Sequence, residues 1–302
     1  MVEVVGVGQC SLDLLGTLEK WPVPDSKVEL PELTLQGGGP VATALVTLSR
    51  MGIRTALQGA VGGDEAGRQI RAGLVLEEVD CRHLQTLQGR RSQTAFIAVE
   101  PETARRTIFW HRGDAMIAPG QLDEEQIAHA RVLHLDGLHL DVALLAAHVA
   151  HEAGTLVVLD GGTLRPGMKR LLPFVDHAVV SENFSAALAP GDPLAACEQL
   201  LGFGVTAATV TLGAQGSVTK LRTGQQFRQP AFQVEVVDTT GCGDVFHGGY
   251  IYGLLQGWGW PEKLAFAAAC AALKTRAIGG RAGIPVYEAV ASFLATHGVT
   301  LP

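Results

Sequence analysis

The segment richest in potential chemistry is 234–250, VEVVDTTGCGDVFHGGY. An apolar run with the character of a strand leads into Asp238-Thr239-Thr240, and Gly241-Cys242-Gly243-Asp244 then opens a helical stretch. Two glycines around one small residue let successive backbone N–H groups turn into one concavity. The helix start adds unpaired N–H groups and the positive end of its dipole. The product is an anion hole suited to phosphate, with Asp244 at its rim. A carboxylate there repels a bound anion, which a purely binding site would not favour. It makes sense where Asp244 takes the proton from a hydroxyl attacking phosphorus. The competing explanation is a glycine turn capped by an aspartate, and the segment alone weighs the two equally.

Further clusters tip that balance. Gln36-Gly37-Gly38-Gly39-Pro40 leads directly into a helical pattern at 40–51, where bare backbone can approach hydroxyl oxygens closely. Asp13, just past the first apolar run, is a bidentate acceptor suited to a pair of sugar hydroxyls. At 209–216, TVTLGAQG places Thr211 and two glycines, Gly213 and Gly216, after a strand-like run, a shape suited to a nucleotide. Other motifs fail. Gly6-Val7-Gly8 lacks the third glycine and the helix timing of a dinucleotide fingerprint, and His148-Val149-Ala150-His151-Glu152 has its acid outside the histidine pair.

The elements that must position these residues follow from periodicity. Apolar runs at 2–8, 54–61, 131–135, 155–159, 176–180 and 206–211 alternate with helical stretches, and helices are expected at 243–256, 261–277 and 286–296. That rhythm predicts an α/β fold with a mostly parallel sheet covered on both faces. Two stretches break it, 12–36 and 92–114; the second holds SQTAFIAVE and RRTIFWH, two strands of a hairpin turning near 101–105. Together they predict a small β-sheet lid on one 302-residue domain. With 23 Lys and Arg against 30 Asp and Glu, the net charge of −7 argues against a general nucleic-acid partner. Five scattered cysteines without CxxC fit free thiols, and no apolar run reaches the roughly 20 residues of a membrane span. The N-terminus reads as a strand rather than a leader, so the expected setting is the cytoplasm.

In order along the chain, GGPVATALVTLSRMG, TLGAQG and DTTGCGD resemble the three signatures of the ribokinase-like, PfkB-type carbohydrate kinases, and the resemblance spans essentially all of the sequence. With GGRAGIP it is nearest to the branch of sulfofructose kinase and ketohexokinases. It implies a three-layer α/β/α core with a lid, and transfer of the γ-phosphoryl of MgATP to a monosaccharide hydroxyl. Asp244 then matches the catalytic base and Gly241, Cys242 and Gly243 the anion hole. Asp13, Gly38, Gly39 and Thr43 match sugar-binding positions; Thr211, Gly213 and Gly216 match the nucleotide loop. Asp238 and Thr240 match positions that bind a monovalent cation such as K⁺ in many members, completed by carbonyls from a loop like 277–283.

Departures from the pattern matter. Thr43 and Ser11 stand where asparagines are usual. In VSENFSAAL, Glu182 falls at the Asn and Ser185 at the Glu of the family's NxxE, the motif tied to the Mg²⁺ water shell, and Glu182 is the candidate to compensate. Lid residues Lys27, Trp110 and Arg112 are expected to select the sugar. Strand alternation puts Trp110 and Arg112 on one face, suiting a ring with a polar or anionic end. The lid is also the expected homodimer interface. The alternatives are a nucleoside kinase, with Trp110 under the base, and a catalytically silent sugar- or nucleotide-binding relative.

Overall fold

A computed structural model describes residues 1–100 and 105–302. In chain order the elements are β1 (Val4–Val7), β2 (Ser11–Thr17), β3 (Leu33–Gly38), α1 (Pro40–Arg50), β4 (Thr55–Gly62), α2 (Glu65–Leu76), β5 (Leu84–Leu87), β6 (Thr94–Glu100), β7 (Arg105–His111), α3 (Glu124–Ala128), β8 (Val132–Leu135), α4 (Leu140–Ala153), β9 (Leu156–Gly161), β10 (His177–Ser181), α5 (Glu182–Leu188), α6 (Pro193–Gly202), β11 (Ala207–Thr211), β12 (Ser217–Leu221), β13 (Gln226–Gln229), α7 (Cys242–Leu255), α8 (Trp260–Lys274) and α9 (Tyr287–Thr296).

Nine strands form one sheet in the order β13-β12-β11-β10-β9-β8-β1-β4-β5. The strands from β11 to β5 run parallel, and β12 and β13 close one edge as an antiparallel hairpin. Alternation along each strand splits the core in two, as side chains of period two must. Val4, Val132 and Val158 join the apolar layer of α1, α2, α7, α8 and α9, while Val5, Leu133, Leu135, Val157 and Leu159 join that of α3, α4, α5 and α6. The three-layer expectation is met.

Helix α7 is wedged tightly into the first layer. A Cβ on Gly248 would lie 2.5 Å from Thr47 Cβ on α1, and one on Gly249 would lie 2.9 Å from Ala267 Cα on α8. The two glycines let three helices approach backbone to backbone, which holds the start of α7 still.

The second sheet, β3-β2-β6-β7, comes from the two segments that break the α/β rhythm. Register settles its faces. Asp13 pairs with Ala95 and Ala95 with Trp110; Thr17 pairs with Val99 and Val99 with Arg106. Residues in one such row share a face, so Trp110 and Arg106 lie on the Asp13 side. Leu15, Ile97 and Val99 on that side pack against Ile278. The opposite side exposes Leu33, Leu35, Phe109 and Trp21, with Phe109 stacked on Trp21 and Phe96.

Several expectations need correction. The 234–237 run is not a strand: Val237 N and Asp238 N both donate to the single carbonyl of Thr275, and no neighbouring strand offers a ladder. Segment 12–36 is two strands joined by an irregular 18–32 connection. The helix expected to run to 277 ends at Lys274, and 275–283 is a loop. Strands β5, β12 and β13 lie outside the runs read from sequence. The turn of the second lid hairpin, near 101–105, falls largely outside the described residues.

Candidate active site

Gly241 caps α7 with φ 73°, and a Cβ on it would meet Gly280 Cα at 2.8 Å, so the left-handed turn and the close loop both require glycine. No side chain caps the helix. Among the described residues no protein oxygen accepts from the N–H groups of Gly243 and Asp244; Gly243 N–H faces only the Cys242 sulfur, a weak acceptor, so both donors can turn to an anion at the helix start. Asp238 and Thr240, both buried, brace the turn from behind. Asp238 Oδ1 accepts from Thr240 N and Thr240 Oγ1, each at 2.8 Å, and Oδ2 accepts from Gly279 N at 2.7 Å. The Cys242 thiol is partly exposed, and burial of its surroundings raises its pKa.

Asp244 occupies the first turn of α7 and is partly exposed. The protein packed around it pushes its pKa up to about 7; the carboxylates of Asp160 and Asp13 add to the rise, and His247 and Arg106 oppose it. A group poised there suits general-base work at neutral pH. His247, one turn further along α7, is buried. Its Nδ1 lies 2.8 Å from Gly243 O and 3.4 Å from Asp160 Oδ2, and its Nε2 lies 3.1 Å from Val179 O. Both ring nitrogens face backbone carbonyls. The ring thereby pins the first turn of α7 to β10. His134 lies behind it, ring centroids 5.6 Å apart, with burial driving its pKa down to about 3.

Asp13, on β2, is 7% exposed; Ser11 Oγ donates to its Oδ1 at 2.8 Å, while burial raises its pKa. Ser11 therefore orients the carboxylate where an asparagine was usual. A Cβ on Gly38 would lie 2.0 Å from Asp13 Oδ2, and one on Gly37 2.1 Å from Arg281 Nη1. Gly39, with φ 93°, leads into α1 through Pro40. Thr43, the other departure, is buried, and its Oγ1 has no hydrogen-bond partner among the described residues. Arg281 was not singled out in the sequence. It is 5% exposed, and its Nη2 donates to Gly38 O at 3.1 Å, joining the 275–283 loop to the glycine run.

Thr211 ends β11 and donates to Val180 O at 3.4 Å. A tight turn, Gly213–Gln215, follows, and Gly216 has φ 87° with room for no Cβ, since Gln229 O would lie 2.0 Å away. Open backbone here can take a flat or anionic group, so the loop fits the nucleotide that the motif implies. Glu182 is exposed in the first turn of α5, which Ser181 caps by accepting from Phe184 N at 3.2 Å; Ser185 is buried. The carboxylate is thus free to face a solvated metal ion and the serine is not. No cluster of three or more metal-ligating side chains occurs among the described residues. A bound Mg²⁺ would rest chiefly on nucleotide phosphates, as that ion commonly does.

On the lid, the Arg112 guanidinium lies 4.5 Å over the Trp110 ring, so the two share a face as alternation required, although Arg112 stands just past the end of β7. The Arg112 and Arg165 charges both lower the pKa of His139, after burial, which places three basic side chains in one neighbourhood. Arg106 reaches the core: its Nη1 donates to Thr239 Oγ1 at 2.6 Å. Lys27 is exposed in the 18–32 connection and makes no hydrogen bond or ion pair among the described residues. The structure does not draw it into the cluster.

The sequence profile of the pfkB family carbohydrate kinases matches residues 1–286. The chain belongs to that family. It is therefore a carbohydrate kinase, a phosphotransferase acting on an alcohol group. It is 27% identical over 307 residues to the ATP-dependent ribose-1-phosphate kinase of Halopiger xanaduensis, covering 97% of this chain and 98% of that one. Its fold superposes with a TM-score of 0.89 on a protein of Agrobacterium tumefaciens provisionally named a ribokinase, at 27% identity and 98% coverage of both chains. The Arabidopsis thaliana ribokinase, complexed with ribose and ATP, superposes at 0.85 with 22% identity, covering 97% of this chain and 99% of that one. The match is to the family and carries no branch within it, so the sulfofructose kinase and ketohexokinase-like assignment is not part of this result. No helix among the described residues is long and apolar enough to cross a membrane.

Proposed function

We propose that this sugar kinase transfers the γ-phosphoryl of MgATP to a hydroxyl of a monosaccharide that carries an anionic or strongly polar end. Asp244 is the base: it accepts the proton of the attacking hydroxyl as the new O–P bond forms and the bond from the γ-phosphorus to the departing ADP breaks. The Gly241-Cys242-Gly243 turn and the free N–H groups of α7 receive the phosphoryl oxygens, where preorganised donors act most strongly. ATP, when bound with Mg²⁺, supplies the transferable phosphoryl group. Thr211, Gly213 and Gly216 hold the nucleotide, and Glu182 faces the metal's water shell. Asp13, Gly38, Gly39 and Thr43 take sugar hydroxyls, and Thr43 Oγ1 offers a buried hydroxyl still without a partner. Arg106 clamps charge on the phosphoryl from the lid side. Trp110 and Arg112 flank the substrate's polar end.

The observation that carries the reading is Asp244: a carboxylate with a pKa near 7 at a helix start where, among the described residues, no protein oxygen accepts from the N–H groups of Gly243 and Asp244. A silent relative has no use for it. A nucleoside substrate is the weaker reading, because Arg112 already covers a face of Trp110. The apolar outer face of the small sheet, with Leu33, Leu35 and Phe109 exposed, supports pairing of two lids in a homodimer, which sedimentation velocity tests. The free thiols fit a reducing, cytoplasmic setting. The deciding experiment is MgATP-dependent ADP formation against a panel of sugars, sugar acids, phosphosugars and nucleosides. Turnover confined to sugars with an anionic end supports the reading. No turnover with any member, or a preference for nucleosides, contradicts it.

A further inference from the structure

The resemblance assigns a monovalent metal ion to Asp238, Thr240 and carbonyls of the 277–283 loop, and the residues present do not fit that ion. Lys274, the last residue of α8, is fully buried. Its Nζ donates to Asp238 O at 3.0 Å and to Ala277 O at 3.4 Å. One carbonyl belongs to the turn that feeds the anion hole and the other to the loop beside it. An ammonium in contact with both fills the role an ion would have there, and a second cation on the same oxygens would meet it at close range. The Asp238 carboxylate is committed as well, to Thr240 N, Thr240 Oγ1 and Gly279 N.

The surroundings explain why a lysine persists in so buried a place. Charge is tolerated in a protein interior only where it is hydrogen-bonded and balanced. Lys274 has its carbonyls, and the Asp238 carboxylate works against the lowering of its pKa by burial. The backbone closes around it: Val237 N and Asp238 N donate to Thr275 O, and a Cβ on Gly283 would lie 2.4 Å from Lys274 O. One side chain thus joins the C-terminus of α8, the 275–283 loop and the turn before α7.

We propose that Lys274 is a tethered counterpart of a monovalent cation, a positioning residue that fixes the 238–243 turn so that the kinase works without K⁺. The idea rests on the anion hole being the phosphoryl site. Its test includes a measurement that does not depend on that. Wild type and Lys274→Ala are compared in K⁺, in NH₄⁺ and in a bulky organic cation, by turnover and by thermal unfolding midpoint. The expectation for the wild type is one rate and one midpoint in all three media. Lys274→Ala should lose tenfold or more of its turnover in the organic cation, and K⁺ or NH₄⁺ should restore turnover and raise the midpoint. Several-fold activation of the wild type by K⁺ overturns the proposal. So does a Lys274→Ala protein whose rate and midpoint ignore the ion, for then Lys274 acts by packing alone. If the variant does not fold, the wild-type comparison decides by itself. If no sugar supports turnover, the midpoints alone decide, and the kinase reading fails separately.

Discussion

The turn before α7 and the outer edge of the lid carry opposite kinds of structure. Around Asp244 the supporting polar groups are tied to the core: Asp238 to Thr240 and Gly279, Lys274 to Asp238, His247 to Gly243 and Val179. At the lid, Trp110 is 48% exposed, Arg112 stacks on it, and Lys27 makes no hydrogen bond or ion pair among the described residues. Chemistry that must present donors within fractions of an ångström needs the first kind of region. Choice among sugars needs only a surface that can be re-lined without disturbing the turn. Under the proposed function, the contrast assigns the reaction to the buried polar framework and substrate choice to the exposed strand, so substitutions should separate along that line.

The largest effect is expected from Asp244→Asn, which should lower kcat by about 10²–10⁴-fold while nucleotide affinity holds or tightens. Near-normal kcat would move the base elsewhere. Gly38→Ala comes next. The new methyl would press on Asp13 Oδ2 and should cost about a hundredfold in kcat/KM for the sugar, with ATP binding intact. Arg106→Ala removes the lid side chain that, among the described residues, is bonded to the 238–243 turn, and roughly a tenfold fall in kcat is expected from the loss of a charged hydrogen bond. If only KM moved, Arg106 would belong with the lid's substrate contacts and the contrast would weaken. Arg112→Ala should give the smallest change, a several-fold fall in kcat/KM that steady-state assays on the best sugar would detect. A fall in kcat alone would place Arg112 in the chemistry instead.

Asp244 also links function to stability. Its pKa is raised from an ordinary 3.8 to about 7, so between those values the folded state holds more protons than the unfolded chain. Stability attributable to this group therefore declines as pH rises through that window. Asp244→Asn should melt higher than the wild type at pH 8, with a smaller difference at pH 5, which scanning calorimetry would show.

How much of this was legible in sequence depended on range. The glycines and Asp244 declare themselves because their spacing is local, and the buried parallel strands because their apolar runs are unbroken. The 234–237 run misleads: its β-branched residues have strand propensity, but pairing is a tertiary matter and no strand among the described residues pairs with it. Strand β13 escapes because Phe227 is its one apolar residue, and β12 because its buried positions include the polar Ser217 and Thr219. Lys274 carries no local signal, and Arg281, although it lies within GGRAGIP, shows nothing locally of its partner. Lys274 meets Asp238 across 36 residues and Arg281 meets Gly38 across 243, and only the fold brings them together. Arg106, one of two adjacent arginines in RRTIFWH, is singled out only by the register of β6 and β7.

The central claim is that Asp244, poised by burial and by its charged neighbours, is the base. The most direct test is the pH dependence of kcat at saturating MgATP and sugar, for wild type and Asp244→Asn. The account predicts a wild-type rate that falls about tenfold per pH unit below a bend at about pH 7, and a low, flat profile for the variant. A wild-type profile that stays level down to pH 5, or the same bend persisting in Asp244→Asn, would contradict it.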